Sequence, residues 1–119
     1  MKENDLCQRL FDFAVDTINL LKYLRNTPGN SVIKMQLTKA ATSSGANYEE
    51  AQGASSKADF VNKVRISLKE MREANYWLRI LQKLESKQTT RMNLLLKESV
   101  ELKNILGSIC KKVDDNKNK

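Results

Sequence analysis

The chain has 119 residues, which suits one domain built around a single core. Its one proline, four glycines and 6% aromatic residues are too few for an all-β protein, and the absence of histidine excludes imidazole catalysis and histidine metal ligands. With 40% hydrophobic and 29% charged residues, no apolar run near ~18 residues and no signal-peptide pattern, the composition favours a soluble, mostly helical, cytoplasmic domain.

The charge is distributed unevenly along the chain. Residues 1–60 carry seven Lys and Arg and seven Asp and Glu, whereas residues 61–119 carry fourteen and seven, so the whole net charge of +7 lies in the second half. A localised basic excess favours an acidic partner such as nucleic acid. The alternative interpretation is that this charge only keeps the protein soluble.

Two helices are predicted in the first half of the chain. Helix 1 covers residues 3–26, where apolar side chains recur every three or four positions, and the Pro-Gly pair within residues 27–30 ends it. The buried face of this helix is expected to include Phe11, Ala14, Val15 and Ile18. Helix 2 covers residues 31–54, with Asn30 or Ser31 as its N-cap.

The predicted inward face of helix 2 is unusually small and polar. It consists of Ile33, Leu37, Ala40, Ser44, Asn47 and Ala51. The run TSSG at residues 42–45 costs roughly 2–3 kcal/mol of helix propensity relative to alanine, which tertiary packing must offset. Small side chains favour a close approach to a neighbouring helix, and the alternative is a surface for a ligand or another subunit.

Two further helices are predicted in the second half of the chain. Helix 3 covers residues 56–86, and Ser56 with Asp59 resembles a capping box at its start. Its core face is expected to consist of Phe60, Val64, Ser67, Met71, Ala74, Leu78 and Leu81. Helix 4 covers residues 89–113.

These four helices predict one all-α domain. Helices of this length span roughly 36–45 Å, and short connections make sequential helices antiparallel neighbours. The sequence therefore predicts an antiparallel up-down-up-down four-helix bundle over residues 1–113, followed by a frayed polar tail at residues 114–119.

Helix 3 carries a basic stripe beside its core face. At spacings that alternate between four and three residues, one strip of its surface presents Arg65, Lys69, Arg72, Tyr76, Arg79 and Lys83. Five cations in a row repel one another, so phosphates would stabilise them, and Tyr76 would stack on an unpaired base. The alternatives are a solvated face or a seam of salt bridges between subunits.

A third face of helix 3, opposite the core, is apolar. This apolar face consists of Ile66, Trp77, Ile80 and Leu84. An exposed patch of this kind predicts an interface between copies of the chain. In the alternative, the helix is rotated so that Trp77 covers a groove against helix 2 or helix 4.

The sequence offers little chemistry for catalysis. Cys7 and Cys110 form no metal motif, and a disulfide between them is geometrically possible, although a cytosolic setting favours two free thiols. The adjacent Glu49 and Glu50 diverge by about 100° on a helix and do not form an acid–base pair. No phosphate-binding loop, dinucleotide fingerprint or nucleophile motif occurs. We therefore predict a protein that is not an enzyme and that holds neither a metal nor a cofactor.

Helices 2 and 3 contain stretches that resemble a known family. They are LTKAATSSGANYEEA at residues 37–51, SKADF at residues 56–60, ISLKE at residues 66–70 and EANYWLR at residues 73–79. Together they resemble the bacterial 23S rRNA intervening-sequence proteins, which carry a ribosomal-protein label and are also called the four-helix-bundle protein family. The resemblance covers essentially the whole domain.

The resemblance implies a four-helix bundle that assembles as a homopentamer and has no catalytic residues. It extends more distantly to the accessory variability protein of diversity-generating retroelements, which binds nucleic acid and a reverse transcriptase through a basic surface. A basic surface of that kind matches the stripe on helix 3.

The residues and the resemblance lead to one functional prediction. A homo-oligomeric bundle would bind structured RNA or DNA, with Arg65, Lys69, Arg72 and Arg79 on phosphates and Tyr76 on a base. The alternative is a protein–protein adaptor or an accessory subunit for a polymerase or reverse transcriptase, whose acidic surface the stripe would receive. A third interpretation is a free-standing scaffold whose charges only keep it soluble.

Overall fold

The computed structural model describes residues 3–117, with side chains described over residues 5–114. Within these residues the chain forms α-helices and no strand: α1 (Glu3–Leu21), α2 (Pro28–Gln52), α3 (Lys57–Leu84) and α4 (Thr89–Lys117). The predicted all-α four-helix bundle is confirmed. Its dimensions are 50 × 22 × 21 Å, so the bundle is a short rod.

Hydrogen bonds between α3 and α4 show that these two helices are antiparallel. Asn75 Nδ2 donates to Ser99 Oγ at 2.9 Å, and Gln82 Nε2, further along α3, donates at 2.8 Å to Asn93 Oδ1, which lies earlier on α4. Each helix packs on its neighbours in sequence, and α1 also packs on α4. The interface between α2 and α3 is the most extensive and that between α1 and α4 the least.

The core is drawn from all four helices. Its largest fully buried side chains are Tyr48, Phe13, Leu10, Leu20, Leu37, Met71, Leu78, Leu81, Met92, Leu102, Leu106 and Val64. Burying these side chains supplies the main favourable term in folding. Two of the residues assigned to the core of α1 lie outside it, because Phe11 is 60% exposed and Val15 is 41% exposed.

The small residues of α2 allow it to approach α3 closely. Ser44 Oγ donates to the Ser67 carbonyl at 2.8 Å, and Ser67 Oγ donates to the Ser44 carbonyl at 2.7 Å. Both serines are fully buried, so these reciprocal bonds satisfy hydroxyls that would otherwise be costly to bury. The predicted close packing is confirmed at this point in the bundle.

The first connection differs from its prediction. Helix α1 ends at Leu21 rather than at residue 26, and the amine of Lys34 donates to the carbonyl of Leu24 at 2.6 Å in the turn that follows. The N-cap of α2 is Thr27, whose Oγ1 accepts from the backbone N–H of Asn30 at 3.1 Å. The predicted caps Asn30 and Ser31 are wrong, because Pro28 already occupies the first turn of the helix.

The ends of α3 and α4 lie close to their predicted positions. Ser56 is the N-cap of α3, and its side chain accepts from the backbone N–H of Asp59 at 3.0 Å. The Asp59 carboxylate accepts from Ser55 at 3.3 Å, so the reciprocal bond to Ser56 is replaced by one to the preceding residue. Helix α4 continues to Lys117, beyond the predicted end at residue 113. Residues 118–119 lie outside the described residues, and fraying of the tail stays a prediction.

Candidate nucleic-acid interface

The structure places all six side chains of the basic stripe on the exposed surface of α3. The rotation of the helix is fixed by its buried face, in which Val64, Met71, Ala74, Leu78 and Leu81 are at most 1% exposed. From residue 65 to residue 83 the stripe extends about 27 Å along the helix axis. In duplex DNA, the phosphates of one strand are spaced by ~3.4 Å when measured along the axis of the duplex. The stripe is therefore long enough to face several of them.

Arg65, at the start of the stripe, is paired within the chain. Its guanidinium donates to the carboxylate of Asp114 near the end of α4, and both side chains remain about half exposed at 53% and 48%. The pair offsets the positive charge at this end of the stripe. Because an exposed ion pair contributes little stability, an incoming phosphate can replace the carboxylate at low cost.

Arg79 is positioned by a chain of hydrogen bonds that leads from the surface to the buried contact between α3 and α4. Its Nε donates to Asn75 Oδ1 at 3.0 Å, Asn75 donates on to Ser99 at 2.9 Å, and Ser99 Oγ donates to the Leu96 carbonyl at 2.7 Å. Asn75 is only 6% exposed and Ser99 is fully buried. The guanidinium therefore starts from a fixed position, while its outer N–H groups are available for a ligand.

Asn75 and Ser99 were not predicted as site residues. Ser99 follows the core spacing of helix 4, and Asn75 lies one position before the stripe residue Tyr76. In the sequence, the only indication that Ser99 has a partner was the presence of a polar residue at a core position. The bond between them depends on the register of α3 against α4, which the sequence does not specify.

Tyr76 presents an aromatic surface in the middle of the cations. The side chain is 50% exposed, and the guanidinium carbon of Arg79 lies 5.7 Å from the centre of its ring. The Trp77 ring packs edge-on against Tyr76 with 5.2 Å between ring centres, and Trp77 Nε1 donates to Glu73 Oε1 at 3.3 Å. Tyr76 thus contacts Trp77 and Arg79 within the chain, while half of its side chain remains exposed to solvent.

The other cations of the stripe lie free of carboxylates. Over residues 5–114, no acidic side chain forms an ion pair with Lys69, Arg72 or Lys83. Within the described residues, Glu70 on the same helix forms no ion pair with these three cations. Burial raises the pKa of Glu70, the negative charge of Glu73 raises it further, and Lys69 acts in the opposite direction.

The stripe ends in a shallow hollow on the last two turns of α3. The hollow has a volume of 370 Å³ and is lined by Tyr76, Arg79, Ile80, Gln82, Lys83 and Leu84. It combines an aromatic ring, two cations and two apolar side chains. No other segment of the stripe offers this mixture, since residues 65–72 add only cations.

The apolar face of α3 is only partly exposed. Leu84 is 62% exposed, whereas Ile66, Trp77 and Ile80 are half-buried, with Trp77 and Ile80 packed against the core of the same chain. Trp77 is therefore neither fully exposed, as an interface face predicts, nor fully buried against a neighbouring helix. An interface between copies at this face remains a prediction.

Several features limit the remaining chemistry. In the described part of the chain, no three Cys, Asp or Glu side chains are grouped so that they could hold a metal ion. Cys7 and Cys110 are not joined by a disulfide, and burial raises the pKa of the Cys110 thiol. None of the described helices has the length and apolar character needed to cross a membrane.

Comparison with known proteins identifies the family. The sequence model described as 23S rRNA-intervening sequence protein matches residues 2–108. The chain belongs to the 23S rRNA-intervening sequence protein family. A crystal structure of a protein of unknown function from the S23 ribosomal protein family of Bacteroides thetaiotaomicron VPI-5482 is similar to this chain. The two are 39% identical over 93% of this chain and 99% of that chain, with a TM-score of 0.82.

The match to the family includes the whole candidate interface. Residues 2–108 contain α1, α2, α3 and most of α4, and therefore both the stripe and the hollow. The predicted resemblance to the 23S rRNA-intervening sequence family is confirmed. No match was found among curated proteins.

Proposed function

We propose that this protein is a cytoplasmic, non-enzymatic, homo-oligomeric bundle that binds structured RNA or DNA through the basic stripe of α3. The observation that carries the proposal is the row of five exposed cations on one helix, of which only Arg65 is paired with a carboxylate among the side chains of residues 5–114. Such a row is electrostatically unfavourable until an anion binds it. A nucleic-acid backbone supplies phosphates at regular intervals along a comparable length.

The proposed roles follow from the surroundings of each side chain. Lys69, Arg72 and Lys83 contact phosphates as mobile, exposed charges, whereas Arg79 is already oriented by Asn75. Guanidinium groups suit this purpose because two of their N–H groups match two phosphate oxygens. Contacts of this kind position a nucleic acid without reading its sequence.

Assembly of several copies would strengthen weak binding by one stripe. Leu84 is exposed next to the stripe and offers an apolar contact for a second copy. When several stripes engage the same nucleic acid, later contacts form at high effective concentration. A homo-oligomer, with five copies as the family resemblance implies, would repeat the stripe once per protomer.

The proposal is tested by titrating the protein against a labelled RNA hairpin and a DNA duplex at several salt concentrations. We expect binding that weakens steeply with salt, with a slope of about 0.9 per phosphate contact on duplex DNA. The triple variant Lys69→Glu, Arg72→Glu and Lys83→Glu should bind at least about tenfold more weakly and show a smaller slope.

A matched variant controls for the change in total charge. Lys22→Glu, Arg25→Glu and Lys97→Glu also replaces two lysines and one arginine, all of them exposed and away from the stripe. This control should keep most of the affinity of the unmodified protein. Equal affinity of the stripe variant and the unmodified protein would contradict the proposal and favour an acidic protein, such as a polymerase subunit, as the partner.

A further inference from the structure

The two ends of the basic stripe differ in chemistry. The stripe side chains of the first half, at residues 65–72, are all cations, and Arg65 is paired with Asp114 beside a separate hollow that has no aromatic side chain in its lining. The second half adds the ring of Tyr76 and the apolar side chains of the hollow. A ligand that contains only phosphates would use the first half as well as the second, so it would gain nothing from the hollow.

We propose that the hollow at the end of α3 holds an unpaired nucleobase, so that the protein prefers nucleic acid in which a single-stranded segment adjoins a duplex. This inference rests on the proposed nucleic-acid binding, and it specifies which class of nucleic acid the protein prefers. The hollow has a volume of 370 Å³ and is open enough for a flat base to enter it from the surface. Its lining offers a π surface together with positive charge.

Arg79 and Tyr76 are placed so that they could contact different parts of one nucleotide, its phosphate and its base. Arg79 Nε donates to Asn75 Oδ1 at 3.0 Å, which positions the guanidinium. The guanidinium carbon then lies 5.7 Å from the centre of the Tyr76 ring. A base stacked on the exposed part of the Tyr76 ring would place its own phosphate within reach of Arg79 or Lys83. The contact with Trp77, at 5.2 Å between ring centres, already restricts the Tyr76 side chain, so less order has to be created on binding.

Base pairing decides which nucleic acids can use this site. Within a duplex both faces of a base are covered by its neighbours, so Tyr76 can reach only a base that is unpaired in a loop, bulge or overhang. Stacking on an aromatic ring tolerates any base, because each has a π face. The hollow therefore selects structure rather than sequence.

The predicted contact between copies shares part of the hollow. Ile80 and Leu84 belong to the apolar face of α3 and also line the hollow. Tyr76 and Leu84 lie two helical turns apart, about 12 Å along the axis. A contact confined to Leu84 therefore leaves the ring of Tyr76, on which the base would stack, uncovered.

Two RNA probes test the inference: a blunt duplex, and the same duplex carrying a single-stranded overhang with 2-aminopurine next to the junction. The unmodified protein should bind the overhang probe about tenfold more tightly than the blunt duplex, and the 2-aminopurine fluorescence should fall on stacking. Tyr76→Ala should lose both the preference and the quenching while its affinity for the blunt duplex stays unchanged. Tyr76→Phe should retain both, because the ring is preserved.

A second variant separates stacking from charge. Lys69→Ala, in the first half of the stripe, should weaken binding to both probes by the same factor. Equal affinity of the unmodified protein for the two probes, or a preference that survives Tyr76→Ala, overturns the inference while the proposed function stands. Failure to bind either RNA probe, together with failure to bind the DNA duplex of the salt titration, overturns the proposed function and the inference with it.

Discussion

Glu70 is an acidic residue on the most basic helix of the protein, and its environment is unfavourable for its charge. It is half-buried and close to Glu73, and both burial and that neighbouring charge raise its pKa above the ordinary value for glutamate. A carboxyl whose pKa is raised on folding contributes stability below its unfolded pKa, and this contribution is lost as the pH rises through the folded pKa. At neutral pH the ionised Glu70 therefore lowers the free energy of unfolding.

We expect Glu70→Gln to raise the melting temperature at neutral pH, because the amide removes a charge that is poorly solvated in the folded protein. The gain should shrink as the pH falls below the ordinary glutamate pKa of 4.5, where Glu70 is protonated in both states. Thermal melts across this pH range measure the effect. Glu49→Gln, at an exposed site on α2, is the control and should show a smaller change. A lower melting temperature for Glu70→Gln at neutral pH would show that Glu70 is stabilising when ionised.

The side chains around Arg79 show what residue patterns can and cannot predict. Helical spacing alone places Arg79 and Tyr76 on one exposed strip, and the structure agrees with that placement. The buried link through Asn75 and Ser99 joins residues 24 positions apart. It depends on how far α4 is shifted along α3, and periodicity carries no information about that shift.

At the scale of the helices, α2 is the element whose sequence is least suited to a helix. Its run at residues 42–45 is nevertheless helical, because the small side chains let α2 pack closely on α3 and α1. A methyl group added at Gly45 would lie 3.5 Å from both Cβ and the carbonyl oxygen of Leu10. These are ordinary van der Waals distances, so the site has room for alanine.

Gly45→Ala is expected to raise the free energy of unfolding by about 0.5–1 kcal/mol, since alanine restricts the unfolded chain and favours the helix. Urea denaturation measures the change. Gly45→Val should instead destabilise the protein, because its branched side chain reaches beyond the space next to Leu10. Loss of stability in Gly45→Ala would mean that α1 and α2 are packed more tightly than described.

The helix boundaries illustrate how local signals compete. Pro28 and Asn30 are both common near helix starts, and the sequence alone does not rank Thr27 above Asn30 as the cap. The Asn30 side chain does not cap the helix, because its Nδ2 donates to Glu85 Oε1 at 2.7 Å, 55 residues away in the sequence.

The exposure of Phe11 and Val15 also has a local cause. The small side chains of α2 leave a groove beside α1, and these two residues line that groove instead of being covered by α2.

At the scale of the whole molecule, all four helices carry exposed apolar side chains. On α3 the exposed side chain of the predicted interface is Leu84, whereas the other helices expose Phe11, Val15, Val32, Met35, Leu94 and Val100. Each of these surfaces can provide a contact between copies. The apolar face of α3 is favoured here because it adjoins the stripe.

Light scattering should give the mass of an oligomer rather than the 13.6 kDa of one chain, and five copies would give about 68 kDa. Leu84→Asp should reduce this mass, because a charge would be buried in the predicted contact. Phe11→Asp, at a residue of similar exposure on α1, should leave the mass unchanged. A monomeric unmodified protein would contradict assembly, and dissociation by Phe11→Asp alone would place the contact on α1 and α2.

The bond between Asn30 and Glu85 has a geometric consequence for any such assembly. It joins the α1–α2 and α3–α4 connections at one pole of the rod, which leaves the α2–α3 connection at the opposite pole. Each protomer therefore has a direction. In a closed ring with a single rotation axis, all protomers have the same direction relative to that axis. Where the rods lie along the axis, the hollows beside Tyr76 would be at one end of the ring and the Arg65–Asp114 pairs at the other, so the two ends would differ in chemistry.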